Sequence, residues 1–323
     1  MLVRKCLRYW QLTGNYMTST TSTPKFSATS TDPTQTRRSF REKWANSPDA
    51  AFASTLTEGS TIQNWILNRN GFNTLADLEA YLADKTAILD GGCGNGRVTA
   101  LLSSVAASGA VVTGIDLNAD QVAAANLSEA DNVRVQNADL LGDLSGLGPF
   151  DFIYCQEVLH HTENPQGGFD NLVSRLAPGG EIAIYVYRKK APIREYTDDF
   201  VRDAIKDMSY EDGMEVSAQI TELGKRLSEV DATVTVPDIP VLGIKAGEHH
   251  VQRFLYHFFM KAFWNPELSY HDNVVVNFDW YHPSTCSRHT FEEVEGWFTS
   301  AGLEILHGFE DEYGITMRGG KPA

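Results

Sequence analysis

Ile88-Leu89-Asp90-Gly91-Gly92-Cys93-Gly94-Asn95-Gly96-Arg97 is a compact apolar run that breaks into glycines and then resumes with helical spacing. Thr86 to Asp90 reads as a short buried strand. Arg97 to Val105 reads as a helix, with Val98, Leu101, Leu102 and Val105 on one stripe. Between them Gly92, Gly94 and Gly96 let the chain turn sharply and approach a ligand where any Cβ would intrude. The helix N-terminus then offers unpaired N–H groups to a polar or anionic group. Taken alone, the glycines fit a tight strand-to-helix turn as well as a ligand cradle.

The surroundings sharpen the reading. Ala110 to Ile115 reads as a second strand ending in Asp116, roughly twenty residues beyond the glycines, where a carboxylate can accept from both hydroxyls of a ribose. The dinucleotide fingerprint requires a third glycine three positions after the second, and Arg97 stands there. That departure counts against a nicotinamide oxidoreductase.

Asp90 to Gly96 instead spells Asp-x-Gly-x-Gly-x-Gly, which resembles motif I of the class I S-adenosylmethionine (SAM)-dependent methyltransferases. The resemblance continues through Gly114-Ile115-Asp116, Asn137-Ala138-Asp139, Val158-Leu159-His160-His161 and Leu176-Ala177-Pro178-Gly179-Gly180. These look like landmarks of the "type 11" small-molecule branch, which includes ubiquinone and menaquinone methyltransferases. The resemblance is strong over residues 85–187 and returns from 289 to the end. It speaks for fold and cofactor and says little about the acceptor. For SAM and its product S-adenosylhomocysteine (SAH), it implies a cofactor site of Asp90, Gly91, Gly92, Gly94, Asn95, Gly96, Asp116, Leu117, Ala138, Asp139 and Gln156. Within it Asp90 orients the loop or reaches the methionine amine through water, and Asp116 takes the ribose. Asp139 accepts from the adenine amino group, Ala138 and Leu140 touch the ring, and Gln156 lies near the methionine portion.

Composition sets wider bounds. The 323 residues carry 27 Lys and Arg against 42 Asp and Glu, a formal charge of −15. A protein that grips a phosphate backbone usually gathers basic residues, so the charge argues against a nucleic-acid substrate. No run approaches a membrane span. Cys6, Cys93, Cys155 and Cys286 are scattered without metal-ligand spacing, which suits a reducing, cytoplasmic compartment. Residues 1–41 are rich in Ser, Thr and Arg with Asp32 as their single acid, and read as a disordered tail, a mitochondrial transit peptide, or an over-extended start ahead of Met17. In each case they are expected to lie outside the fold.

Residues 42–84 turn helical, with Ile62, Trp65, Ile66 and Leu67 in one segment and Leu75, Leu78, Tyr81 and Leu82 in another. They fit a cap over the cofactor pocket or plain packing on a sheet. Asn118 and Gln121 are spaced as a capping box for a helix over 118–125. Strands follow at 132–136, 150–156 and 181–187, and Asn164-Pro165 starts a helix. The βα alternation predicts an α/β, doubly wound, Rossmann-like sheet. The family resemblance makes it seven-stranded, with the last strand antiparallel. Residues 188–288 interrupt the rhythm with two expected helices, near 196–208 and 213–229, and a dense aromatic region. That insertion reads as a lid that builds the acceptor pocket, or as a small subdomain with its own core. Thr290 and Glu293 form a capping box for a last helix, and two strands close residues 289–323.

On the acceptor side His160 and His161 follow the fourth strand and are candidate general bases. Arg253 is a candidate for bidentate binding of a carboxylate, and Tyr281 is a further polar candidate among the aromatics. The histidines form no metal motif, and no metal is predicted. The Gln156-Glu157-Val158-Leu159 run lacks the Asn/Asp-Pro-Pro-Tyr tetrapeptide of many amino-group methyltransferases. The expected function is transfer of a methyl group to a small molecule, with the methylated atom and oligomeric state open. A tRNA or rRNA methyltransferase and a catalytically silent nucleoside-binding protein stand as alternatives.

Overall fold

The computed structural model describes residues 31–323. Seven strands form one sheet: β1 (Ala87–Gly91), β2 (Val111–Asp116), β3 (Val133–Asn137), β4 (Phe150–Gln156), β5 (Leu176–Tyr187), β8 (Glu304–Glu310) and β9 (Gly314–Gly320). Their spatial order is β3-β2-β1-β4-β5-β9-β8. β1 to β5 pair in parallel, and β9 enters antiparallel between β5 and β8. This is the expected doubly wound sheet with a reversed last strand.

Alternation along the strands explains its two layers. Leu89, Ile153, Cys155, Ile182 and Ile184 point to one face, where Phe169 and Leu172 of α7 (Pro165–Val173) and Val294 and Phe298 of α12 (Phe291–Ser300) cover them. Ile88, Val112, Phe152, Tyr154 and Ala183 point to the other, under α3 (Thr61–Arg69), α4 (Leu75–Leu82) and α5 (Arg97–Val105). Residues i and i+2 of a strand share a face, so each strand contributes to both layers. α5 spans the expected residues, Asn164 caps α7 by accepting from the Gly167 N–H, and the Thr290–Glu293 capping box forms.

Three local expectations are revised. α6 (Asp120–Asn126) is preceded by Ala119, and the Asn118 and Ala119 N–H groups donate to Asp116 Oδ1, so no Asn118 capping box exists. Thr233–Val236 and Gly247–His250 pair as a hairpin, β6–β7, inside an insertion expected to be helical. The largest revision concerns the tail. Of residues 1–41, the first thirty lie outside the described residues, but Pro33–Asn46 forms helix α1. Asp32 caps it and Pro33 opens it.

α1 was illegible because its buried face is polar. Gln35 donates to the carbonyls of Lys206 and His282 and accepts from the Ser284 N–H. Thr36 accepts from the Thr285 N–H, Ser39 bonds His282 Nδ1 at 2.8 Å, and Lys43 pairs with Asp279 at 2.6 Å. Burial of polar groups is tolerated when each finds a partner, and such a face leaves no apolar periodicity to read.

The insertion comprises α8 (Pro192–Ile205), α9 (Tyr210–Ser228), the hairpin, α10 (Val251–Phe258) and α11 (Tyr270–Tyr281). Its apolar residues Ile205, Trp280 and Tyr281 pack on Tyr185 and Tyr187 at the carboxyl end of β5. The insertion therefore shares part of its core with the end of the sheet. Among the described residues, no helix is long and apolar enough to cross a membrane.

Candidate active site

A cavity of about 470 Å³ opens at the carboxyl ends of β1, β2, β4 and β5. This is where open α/β sheets bind ligands, because the strand order reverses between β1 and β4. Its walls come from the glycine loop, from α1 and α3, and from the insertion.

The glycine loop is fixed from below and above. Gly92 and Cys93 donate to the Ile115 carbonyl at 2.8 and 2.9 Å, and the Gly94 N–H donates to Asp116 Oδ2 at 3.0 Å. Gly92, Gly94 and Gly96 all have positive φ, and a Cβ on Gly94 would stand 2.7 Å from Trp44 of α1. Gly92 and Gly94 line the cavity, whereas Gly91 and Gly96 do not. Those two lie against Leu172 and Leu127 instead. Asn95 also lines the cavity, but its side-chain amide donates to the Pro48 and Ala50 carbonyls, tying the loop to the chain after α1.

Three carboxylates edge the first compartment. Asp90 is buried, accepts from Thr99 Oγ1 at 2.6 Å, and has its pKa pushed up to about 6 by burial. Asp116 receives the N–H groups of Gly94, Asn118 and Ala119, while burial raises its pKa. Asp139 accepts the Leu141 N–H at Oδ1 and an Arg37 N–H at Oδ2, each at 2.9 Å. Leu117, Ala138 and Leu140 line the wall between the last two. Gln156 lies deeper. Its Oε1 accepts from the Tyr154 hydroxyl, while its Nε2 is buried with no partner among the described residues.

Arg97, the residue that breaks the dinucleotide fingerprint, lines the same wall. It pairs with Glu157 at 3.1 Å and donates to Thr55. Glu157 has φ +61, an uncommon conformation for a residue with a Cβ and one that needs such anchoring.

The acceptor candidates divide. His161 lines the cavity, and its Nδ1 lies 2.8 Å from the Thr285 carbonyl. A carbonyl only accepts, so Nδ1 carries the proton and Nε2 is the acceptor. Burial pushes its pKa down to about 3. His160 does not reach the cavity. It is fully buried, stacks on Tyr187 at 3.7 Å, and neither ring nitrogen has a partner among the described residues. Tyr281 is likewise buried away from it, donating toward Asp198 Oδ1 and the Lys261 carbonyl. Arg253 does line the cavity and donates to the Tyr313 hydroxyl at 3.4 Å.

Residues that sequence reasoning passed over also line it: Arg37 and Lys43 from α1, and Lys190, Arg194 and Lys261 from β5's exit and the insertion. A lone lysine inside the aromatic run Phe258-Phe259-Met260-Lys261-Ala262-Phe263-Trp264 was the available signal for Lys261. Among the described residues, no group of three His, Cys, Asp or Glu side chains is placed to hold a metal ion.

The residues of the first compartment fit SAM. Its carboxylates suit hydroxyl and amine donors, and the orphaned Gln156 amide suits a ligand carboxylate.

Comparison with known proteins agrees. Residues 67–213 match the methyltransferase domain family. An uncharacterised protein of Synechococcus sp. is 36% identical over 141 residues, covering 41% of this chain and 34% of the relative. The ubiquinone biosynthesis O-methyltransferase of Psychrobacter cryohalolentis is 33% identical over 167 residues, covering 47% of this chain and 63% of the relative. The chain thus spans a third to two thirds of the lengths of these relatives. The N-methyltransferase NodS of Bradyrhizobium japonicum, solved with SAH, aligns with a TM-score of 0.46 at 16% identity over 90% of this chain and 100% of that one. With its glycine loop, its seven-stranded sheet with β9 reversed and the match over residues 67–213, the chain carries a class I SAM-dependent methyltransferase domain.

Proposed function

We propose that the protein transfers a methyl group from SAM to a small-molecule acceptor held partly by residues 188–288. The chemistry SAM supplies when bound is an electrophilic methyl group on a sulfonium. The observation that carries the reading is the continuity of the cavity. The carboxylate-edged glycine loop and the aromatic insertion open into one space, with the unpartnered Gln156 amide between them.

In this reading Asp116 accepts from the ribose hydroxyls with the lone pairs its three N–H partners leave free. Asp139 accepts from the adenine amino group, Asp90 faces the methionine amine, and Gln156 Nε2 donates to the methionine carboxylate. The insertion excludes water and aligns the acceptor, and alignment alone can contribute about 7–11 kcal/mol. His161 stays neutral at physiological pH, which supports a role in orienting an acceptor O–H or N–H toward Nε2 more than full proton uptake.

Titration calorimetry with SAM and SAH tests the cofactor half. Binding by the native chain, weakened about 100-fold in Asp116→Ala, is expected, since the charge-assisted hydrogen bonds from the ribose hydroxyls, about 1.5–3 kcal/mol each, are lost. Unchanged affinity would remove the ribose assignment, and no binding by the native chain would remove the reading. Incubation of methyl-tritiated SAM with a metabolite extract tests transfer. Label should move to a small molecule, and label in RNA or nowhere would refute that half.

A further inference from the structure

The insertion end of the cavity carries an excess of positive charge that the protein does not neutralise. Arg194 is paired with the buried Asp198 at 3.1 Å, and Lys43 with Asp279 at 2.6 Å. Three more cations line the same end: Lys190, Arg253 and Lys261. Among the described residues none of the three has a carboxylate in ion-pair contact. Lys190 Nζ donates to the Glu312 and Tyr313 carbonyls, Arg253 to the Tyr313 hydroxyl, and Lys261 Nζ sits 4.8 Å from the Trp280 ring. Lys261 is only 5% exposed. The carboxylates that act on it, Asp279 and Asp198, are already paired with Lys43 and Arg194, and Asp198 also accepts the Lys261 backbone N–H.

The three converge on shared aromatic surfaces. Lys190 and Lys261 lie over Trp280, while Arg253 and Arg194 lie over Tyr256. Burial and the charge of Arg194 hold the Lys261 ammonium down to about 8 against the opposing pull of Asp279 and Asp198, and burial with Arg194, Arg188 and Lys261 lowers the pKa of Lys190. Buried charge without a counter-ion is costly, and in a chain with a net charge of −15 such a cluster does not follow from composition.

Building on the methyltransferase reading, we propose that the acceptor is an aromatic carboxylic acid, its carboxylate held among Lys190, Arg253 and Lys261 and its ring against Trp280 and Tyr256. A carboxylate suits the site better than a phosphate. The site contains the Asp279 carboxylate, which would oppose a dianion more strongly than a monoanion.

The test uses the whole chain saturated with SAH. Benzoate and naphthoate are titrated against benzamide and naphthamide, which keep shape and lose charge, with phenyl phosphate as a further arm. At least one acid should bind about tenfold tighter than its amide, as expected for a charge-assisted contact. Lys261→Met and Arg253→Met should each cut that preference to about twofold while SAH affinity, measured on the same samples, stays native. Equal binding of acids and amides, a preference that survives both substitutions, or tighter binding of phenyl phosphate would overturn the proposal. Acid binding that persists in a chain unable to bind SAH would uphold the anion pocket and sink the methyltransferase reading instead.

Discussion

Arg37 of α1 donates to Asp139 after β3 at 2.9 Å, so a helix from the N-terminal segment reaches the carboxylate assigned to the adenine amino group. Both side chains are partly exposed, at 48% and 30%. Arg37→Ala should therefore cost under about 1 kcal/mol of stability. Its effect belongs to binding. SAH should dissociate several-fold faster, and the difference should shrink in high salt as screening weakens the native pair. Stopped-flow release at two salt concentrations measures this, and an unchanged off-rate would mean that α1 does not retain the nucleoside.

Gly94 and Trp44 are in steric register. Gly94→Ala places a Cβ 2.7 Å from the indole and also forces φ +55 on a residue that disfavours it. The single variant should lose SAH affinity and stability together. Trp44→Leu added to it should recover the steric part, leaving a residual cost of about 1–2 kcal/mol from the backbone. Thermal melts of the two singles and the double decide it: strict additivity would show that the contact does not couple loop and helix.

Asp90 gives a pH dependence of definite sign. Its folded pKa is raised from 3.8 to about 6, chiefly by burial, with Asp116 adding and Thr99 and Arg97 opposing. The folded state then holds a proton that the unfolded state has released, so stability falls as pH rises from about 4 to about 6, by at most about 3 kcal/mol. Asp90→Asn should flatten that part of the denaturation profile. A ligand ammonium beside Asp90 favours the charged form, so SAH binding at pH 6 should release protons, and at pH 8 it should not. Calorimetry in buffers of different ionisation enthalpy reads the release directly, and its absence would separate Asp90 from the methionine amine.

The two histidines should behave oppositely. His161→Ala should lower turnover and leave SAH affinity near native, because the ring faces the cavity through its Nε2. His160→Phe should retain turnover and be neutral or stabilising, since it replaces a ring whose two nitrogens are buried and unpartnered with an apolar ring of similar shape. Steady-state kinetics and melts of both variants distinguish them, and loss of turnover in His160→Phe alone would reverse the assignment.

How legible the molecule was depended on whether the buried groups were apolar. β1, α5, β4 and the Thr290 capping box could be read because apolar periodicity and capping chemistry are local. α1 could not, since Gln35, Thr36, Ser39 and Lys43 are buried by partners more than 200 residues away for the most part, and no local pattern encodes them. The glycines and strand-end acids that line one end of the cavity were legible for the same local reason. His160 and Tyr281 were misplaced because adjacency in sequence does not tell which of two neighbouring rings turns inward. Lys190, Lys261 and Arg253 meet only after β5, α10 and the segment beyond it are folded together.

The position of α1 also bears on the order of events in a catalytic cycle. One end of the helix touches Asp139 in the nucleoside compartment, and the other pairs through Lys43 with Asp279 beside the acceptor. A single displacement of that helix would unseal both halves at once. Spent cofactor and methylated product would then share an exit, and SAH should inhibit as a mixed inhibitor toward the acceptor, as in a sequential scheme with one common gate.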